Sequence, residues 1–528
     1  MTTSSVRLKP WSLETCVSEA LANEVALDKE QILAVQTSHG VYHILSNSLF
    51  NLDAMGLGEL PLSVVALPEG LSQVIQSRFQ DSVVRDVTHH LSDYFPNFFV
   101  AALYELESFF EQQQTEAYII GGIVRDLFIS NERRFDIEDV DITIQGQAID
   151  VARQLAENSR NFVLHETYDQ FGTANLDYKG RLNLDFASTR TEVYKACAAL
   201  PEVTERGVPL LRDVIRRDFT INSLALSLRD LGKVIDCHAG LADIEAQQLR
   251  VLKPASFFED PSRAYRLLKF WLRLGFEPSE DTLFLLRQFM DVVPRVYKGG
   301  GDRIKYELMS LLSLPESPLK QKVLSFFRQE ALHLLMDTQL PKTLDLPCTL
   351  EILSYRMEVL TAKLSEKDEE AWDPQVIGLT YMLLILASFG ENAAWHAADR
   401  LGLTRLERDA LSQVLAILSE NPVNTIISGT PQPSEVYQVF YPLTFQAALA
   451  GIVLSPSFES ALDLFLKYKT DYEPVHIELD GDDLILAGIP QGEEIRHWMR
   501  ALLNARLDGD VQTRLDELEW LKNKRAEQ

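Results

Sequence analysis

The stretch Tyr118-Ile-Ile-Gly-Gly-Ile-Val-Arg-Asp126, with Glu138-Asp-Val-Asp-Ile-Thr-Ile144 after it, decides how this chain is read. Ala117–Ile120 has the composition of a short buried strand. Gly121 and Gly122 then turn the chain into a helix, and Val140–Ile144 reads as a second strand. Two glycines at a strand-to-helix turn let the backbone approach a ligand closely, and a helix N-terminus offers unpaired N–H groups to phosphate. Arg125 either adds its charge to that site or pairs with Asp126. Strand side chains alternate between faces, so Asp139 and Asp141 share one face while Val140 and Ile142 share the other. Two carboxylates placed side by side repel each other unless a divalent cation lies between them, and hard oxygen ligands suit Mg²⁺. Each piece also has a plainer reading, as a tight turn or as a solvated strand edge.

Further along the chain, Ala102–Gln113 has helical spacing, and Leu182-Asn-Leu-Asp-Phe186 alternates as a strand, offering Asp185 as a third carboxylate. In Arg216-Arg-Asp-Phe-Thr-Ile-Asn222, a helix starting near Asp213 places Arg216, Arg217 and Asn222 near one cleft wall. Arginines there suit a triphosphate or a ribose through charge-assisted hydrogen bonds. In Phe257-Phe-Glu-Asp-Pro-Ser-Arg-Ala-Tyr-Arg266, Glu259 or Asp260 precedes a proline at a helix start, and Asp260 and Arg263 lie one turn apart. An exposed charge cluster or a helix salt bridge would account for either segment alone.

Taken in order, Gly-Gly-x-Val-Arg-Asp, Asp-x-Asp, Arg-Arg-Asp-Phe-Thr-Ile-Asn and Glu-Asp-Pro-x-Arg resemble the class II tRNA nucleotidyltransferase and poly(A) polymerase family. Asp185-Phe-Ala-Ser-Thr-Arg-Thr-Glu-Val-Tyr194, Ile235-Asp-Cys-His-Ala-Gly-Leu-Ala-Asp243 and Gly301-Asp-Arg-Ile-Lys-Tyr-Glu-Leu308 are similar to its connecting segments. The likeness runs from about Ala117 to Leu308. A second stretch, from Leu479-Asp-Gly-Asp-Asp-Leu to Leu507-Asp-Gly509, is similar to the tail of the tRNA-directed members. The chain departs from the family's Asp-Pro-Phe-Gly-Gly with Asp236-Cys-His-Ala-Gly240, and has Tyr265 and Lys269 where aliphatic and Arg residues are more common.

The resemblance implies an α+β chain: a nucleotidyltransferase head of polymerase β type with a small mixed sheet, then an all-α neck, body and tail. The expected boundaries are 99–252 for the head, 253–330 for the neck, 331–470 for the body and 471–528 for the tail. Residues 1–98 form an extension in which Ile32–Gln36 and Val41–Leu45 read as a hairpin, Leu60–Leu67 as a further strand and Asp81–Tyr94 as a helix; it resembles half of a CBS-type nucleotide-sensing module. The implied activity is template-independent transfer of CMP or AMP from CTP or ATP to the 3′ end of tRNA, with loss of pyrophosphate. Asp139 and Asp141 are the implied ligands of two Mg²⁺ ions, with Asp185 as third carboxylate beside the attacking hydroxyl. The nucleotide falls to Gly121, Gly122, Arg125, Asp126, Arg216, Arg217, Asp218, Asn222, Glu259, Asp260, Arg263 and Arg266. Asp260 and Arg263 are the implied readers of the Watson–Crick edge. A carboxylate accepts from the exocyclic amino group of C or A, and a guanidinium donates to the ring acceptors. A poly(A) polymerase shares these motifs, and a silent RNA- or nucleotide-binding regulator is the rival of another class. Whether C, A or all of CCA is added depends on the loop near 195–212 and on neck geometry.

Composition bounds the rest. The chain has 528 residues with 50 basic and 77 acidic side chains, a net charge of −27 that argues against non-specific coating of nucleic acid. RNA contact then requires a local basic face, expected near Arg263, Arg266, Lys269, Arg273, Arg303 and Lys305. No apolar run reaches the ~20 residues of a membrane helix, and the N-terminus lacks the apolar core of a signal peptide. Four scattered cysteines without zinc spacing fit reduced thiols and a cytoplasmic protein. His89-His90 reads as helix surface, and Trp498 and Met499 as core.

Overall fold

The computed structural model describes residues 32–37, 40–45, 62–64, 83–129, 137–253, 255–346, 348–365, 373–427 and 429–526. Two compact units divide between Lys298 and Gly299, inside the segment 253–330 drawn as a neck from sequence. The first opens with strands β1 (Ile32–Thr37), β2 (Gly40–Leu45) and β3 (Leu62–Val64). β1 pairs antiparallel with both others, so the expected hairpin of the first two is present. The remainder of the extension lies outside the described residues up to β4 (Val83–Asp86), an edge strand of the main sheet. A helix across Asp81–Tyr94 is therefore corrected: the β-branched pair Val83-Val84 extends onto the sheet, and α1 begins only at Thr88 (Thr88–Tyr94). His89 and His90 are exposed on it.

After α2 (Asn97–Gln113) come β5 (Ala117–Ile120), α3 (Gly122–Ile129), β6 (Asp139–Ile144), α4 (Ala148–Asn158), β7 (Phe162–Tyr168), β8 (Thr173–Tyr178) and β9 (Leu182–Ser188). The hairpin β10 (Arg190–Val193) and β11 (Glu202–Arg206) stands apart, and α5 (Leu210–Val214) leads to β12 (Ala225–Ser227), β13 (Lys233–Asp236) and α6 (Gly240–Glu245). Eight strands form one mixed sheet in the order β4-β13-β12-β5-β6-β9-β8-β7. All its pairings are antiparallel except that of β6 with β9. One face of this sheet is the core. Val140, Ile142, Ile144, Leu184, Phe186, Leu176 and Tyr178 are buried on it, under α2 and α4, with Phe110 against Phe186 at 6.3 Å. Alternation leaves the opposite face of the central strands, bearing Asp139, Asp141 and Asp185, to the solvent side.

The unit ends in helices α7 (Ser256–Glu259), α8 (Arg263–Leu274) and α9 (Glu280–Val296). α9 starts on a Ser279 cap that accepts from the Thr282 N–H. The second unit is helical, from Asp302–Leu312 to Arg514–Ala526. Its Pro374–Ser388 helix is apolar around its whole circumference and correspondingly buried. In its last part Leu479, Leu484, Ile489, Trp498, Leu502 and Leu521 form a small core with Met499 packed on it, which bears out the reading of that Trp and Met. Glu517, fully buried there, accepts from the N–H groups of Glu478 and Leu479 and pairs with Arg506. No single helix among the described residues is long and apolar enough to cross a membrane.

Candidate active site

The Gly121-Gly122 turn ends β5 at the mouth of a cleft of about 860 Å³. Gly121 has φ +95°, a conformation costly for any residue with a Cβ. The first amides of α3 have no partner within the helix, and Gly122 and Ile123 lie in the cleft wall. Arg125 is buried and does pair with Asp126: its Nε and Nη2 donate to Asp126 Oδ1 at 2.8 and 2.6 Å. Its Nη1 donates to Asn222 Oδ1 at 2.8 Å, whose amide donates to Asp218 Oδ1 at 3.0 Å. Asp218 Oδ2 in turn accepts from Arg266 Nε at 2.9 Å. Both cations lie against the Phe270 ring, Arg125 at 5.4 Å and Arg266 at 5.6 Å from its centre. Burial pushes the Asp218 carboxyl up, but Arg266 and Asn222 prevail and hold it down at about 2.

Arg216 and Arg217 sit differently from the expected helix. α5 already ends at Val214, the arginines follow in a turn, and Asn222 lies in a separate helical turn, Thr220–Asn222. What organises them is Asp213, 0% exposed: Oδ1 accepts from Arg190 N at 2.9 Å and Arg216 Nε at 3.0 Å, and Oδ2 meets Arg217 Nη2 at 3.4 Å. Desolvation raises the Asp213 carboxyl, and the two guanidiniums lower it further than that, so it remains ionised. Its i, i+3 and i, i+4 spacing to the arginines was a legible signal for this role.

α7 and α8 are joined by the Asp260-Pro-Ser262 turn. Asp260 Oδ1 accepts from Ser262 N at 3.1 Å and from Ser262 Oγ at 2.5 Å. Arg263 is buried, and its close carboxylate is Glu259, at 3.4 Å from Nη1, which also donates to Ser256 Oγ at 2.8 Å. Nη2 donates to Arg216 O at 2.7 Å. Of the five guanidinium hydrogens, those of Nε and the second on Nη2 meet no partner among the described residues, and Arg263 contributes to the cleft wall. Glu259, 2% exposed, also binds Lys253 Nζ at 2.5 Å, so two cations share one buried carboxylate. Lys253 and Ser256 were not singled out in the sequence, and nothing local distinguishes them.

The carboxylates occupy the open sheet face. In the parallel β6–β9 register Asp141 lies beside Asp185 and Asp139 beside Asn183. Asn183 Nδ2 donates to Asp139 Oδ1 at 3.0 Å, and Asn175 Nδ2 on β8 donates to Asp185 Oδ1 at 2.8 Å. Desolvation by the cleft walls pushes the Asp141 carboxyl up; Arg217 opposes this, while Asp185 and Asp139 add to it. An all-oxygen set in mutual repulsion is the donor chemistry of a hard divalent cation. Among the described residues no three His, Cys, Asp or Glu side chains close on one point. Asp139 and Asp141 are the pair that would offer ligands to such a cation, and Mg²⁺ usually takes the rest of its ligands from water and phosphate.

Of the residues singled out, the cleft gathers Gly121, Gly122, Arg125, Asp126, Asp139, Asp141, Arg217, Asp218, Asn222, Asp260, Arg263 and Arg266 in its wall. Arg273 joins them, whereas Lys305, in the second unit, is paired with Glu407 at 2.6 Å. Glu259 lies behind the wall, holding Arg263. Asp185 and Arg216 line a smaller cavity that shares Ile120, Asp141 and Arg217 with the cleft.

Residues 117–250 match the poly A polymerase head domain. An A-adding tRNA nucleotidyltransferase of Geobacter sulfurreducens is 30% identical over 82% of this chain, which spans 48% of that relative's length. One of Halalkalibacterium halodurans is 24% identical over 85% of this chain and 96% of its own. A solved CCA-adding enzyme with CTP is 25% identical, with a TM-score of 0.65 over 84% of this chain and 99% of that one. Relatives of this kind generally use divalent metal ions, in keeping with the oxygen set on the sheet. With the mixed sheet, the ordered motifs and the cleft they line, these likenesses show a head of the poly A polymerase type over residues 117–250 in a chain similar to tRNA nucleotidyltransferases.

Proposed function

We propose that the chain transfers a nucleoside monophosphate from a ribonucleoside triphosphate to the 3′-hydroxyl of tRNA, and that the nucleotide is A. The observation that carries this reading is one cleft lined by Asp139 and Asp141 of the sheet, the Gly121-Gly122 turn, and Asp260 and Arg263 at the turn between α7 and α8. Support for A comes from relatives: the proteins of Geobacter sulfurreducens, Aquifex aeolicus and Halalkalibacterium halodurans carry the name A-adding.

Asp139 and Asp141 are the residues to hold Mg²⁺, which when bound supplies charge stabilisation to the attacking and leaving oxygens. The amides of Gly122 and Ile123 and the guanidiniums of Arg217 and Arg266 face the triphosphate. Asp185, with Oδ1 taken by Asn175, presents Oδ2 to the hydroxyl and receives its proton. The new bond joins the 3′-oxygen to the α-phosphorus, the α–β bridging bond breaks, and pyrophosphate leaves with the electron pair. Asp260 accepts from the exocyclic amine of adenine while the Nε edge of Arg263 donates to a ring nitrogen. U and G place a carbonyl before Asp260, and an unpaired buried polar group costs about 1–3 kcal/mol.

The test is primer extension with Mg²⁺ on tRNA ending at the discriminator base, at C and at CC, with each labelled triphosphate in turn. One A added to the CC end, followed by a stop, is the expected result. Addition of C would overturn the assignment of A, long A tails would make the chain a poly(A) polymerase, and no incorporation would overturn the transferase reading. Asp260→Ala is expected to lower the preference for ATP over UTP by roughly 10-fold; full retention of that preference would remove Asp260 from base reading.

A further inference from the structure

The second cavity, about 350 Å³, lies on the open sheet face, and the strand register explains why it is there. Across β6, β9, β8 and β7 the Cα partners make rows. One row is Asp141, Asp185 and Asn175; the next is Thr143, Ala187, Thr173 and Tyr168. Cross-strand partners point to the same face, and all seven line the cavity. Ala187, the small residue at the centre, is what leaves the depression, bounded by two threonines on its row and two carboxylates and an amide on the neighbouring one.

The polar groups here suit a neutral, hydroxyl-rich guest. Arg190 and Arg216, in the same wall, are committed to Glu192 at 2.7 and 3.4 Å, so their charge is spent on protein rather than on phosphate. Thr143 Oγ1 is fully buried and has no hydrogen-bond partner among the described residues, although its β-strand position turns it toward this face. At the outer end of the row Tyr168 is 51% exposed, and its hydroxyl donates to Glu166, which fixes the ring at the rim. The depression and the large cleft meet at Asp141, and an in-line transfer needs its nucleophile to arrive from the side opposite the leaving group.

Resting on the transferase reading above, we propose that this depression is the subsite for the 3′-terminal nucleoside of the acceptor RNA. Its ribose lies over Ala187, with the hydroxyls toward Asp185, Asn175 and Thr143, and its base stacks on Tyr168. Tyr168 is a positioning residue for the acceptor and takes no part in binding the triphosphate.

Steady-state kinetics with tRNA ending in CC and with ATP separate the two substrates. Tyr168→Ala is expected to raise the KM for tRNA about 10-fold, the range of one base–aromatic stack, with the KM for ATP within twofold of wild type. Tyr168→Phe is expected to restore the tRNA KM. Ala187→Leu, which fills the depression, is expected to lower kcat/KM for tRNA at least ~100-fold while ATP binding by equilibrium dialysis persists. An unchanged tRNA KM in Tyr168→Ala, or an equal rise for ATP, would overturn the subsite. A second readout does not depend on turnover: tRNA carrying 4-thiouridine at its last position should cross-link within Glu166–Asn175, and cross-linking confined elsewhere would overturn the assignment. Failure of the wild-type protein to transfer any nucleotide would instead strike the transferase reading itself, so the two failures are distinct.

Discussion

The two sides of the cleft handle charge in opposite ways. On the sheet, Asp139 and Asp185 are exposed and tied by the neutral amides of Asn183 and Asn175, which fix orientation without cancelling charge. On the helical side, Arg125, Arg217, Arg263 and Arg266 are each backed by a carboxylate, from Asp126, Asp213, Glu259 and Asp218 respectively. The difference follows from burial. A guanidinium taken out of water needs a counter-charge or it destabilises the fold, and sharing that counter-charge leaves one edge of the fork for a ligand. A carboxylate on an open face keeps its hydration, so the sheet can hold a local excess of negative charge for a cation. The basic wall is thus preorganised by the protein, and the acidic face is completed by what binds.

The largest effect should come from emptying the acidic side. Replacing both Asp139 and Asp141 with Asn is expected to lower nucleotide incorporation by roughly 10³-fold or more while filter-binding affinity for tRNA holds within about twofold. Loss of tRNA binding in that variant would show the acidic face to be structural. Next is the best-buried counter-charge. Glu259→Gln removes the carboxylate that Lys253 and Arg263 share, and breaking a buried pair costs about 3–5 kcal/mol. A urea midpoint unchanged from wild type would contradict the account of that wall.

Asp218 gives a pH signature. Its carboxyl titrates at about 2 in the fold against 3.8 for an unperturbed aspartate, so its contribution of about 2 kcal/mol is fully present above pH ~4 and is lost as pH falls toward 2. Asp218→Asn should be less stable than wild type at neutral pH, and the gap should close across that acid window in chemical denaturation. A gap that stayed constant with pH would place the effect outside the Asp218–Arg266 pair.

The smallest expected effect cuts most directly at the comparison. Asn183→Asp substitutes a charged neighbour for a neutral one beside Asp139, and like charges on facing strand positions cost up to about 1 kcal/mol. Without divalent ion the variant should melt slightly lower than wild type, and added Mg²⁺ should close the difference. A variant insensitive to Mg²⁺ would show that amide and carboxylate are equivalent partners on this face.

Much of the site was legible because its information is local. Alternation in Asp139-Val-Asp141 and in Leu182–Phe186 tells which face each carboxylate takes, and the Gly121-Gly122 turn marks a strand-to-helix junction wherever it falls. The Asp81–Tyr94 segment was misread because a strand of four residues at a sheet edge is stabilised by its partner β13, far along the chain, and not by its own pattern. The Arg216–Asn222 segment was misread for the same kind of reason: its residues take their places from the buried Asp213 and from Asp218, while helical spacing suggested a continuous turn.

The chain by itself therefore determined which residues are candidates for the cleft and in what order they come, since motif spacing and strand period are properties of neighbours in sequence. Tertiary structure alone decided their partners: Asn183 for Asp139, Asn175 for Asp185, Lys253 and Glu259 behind Arg263, and Ala187 at the floor of a depression. Those choices depend on strand register and on which charges are shut away from water, and both are settled only when segments distant along the chain pack together.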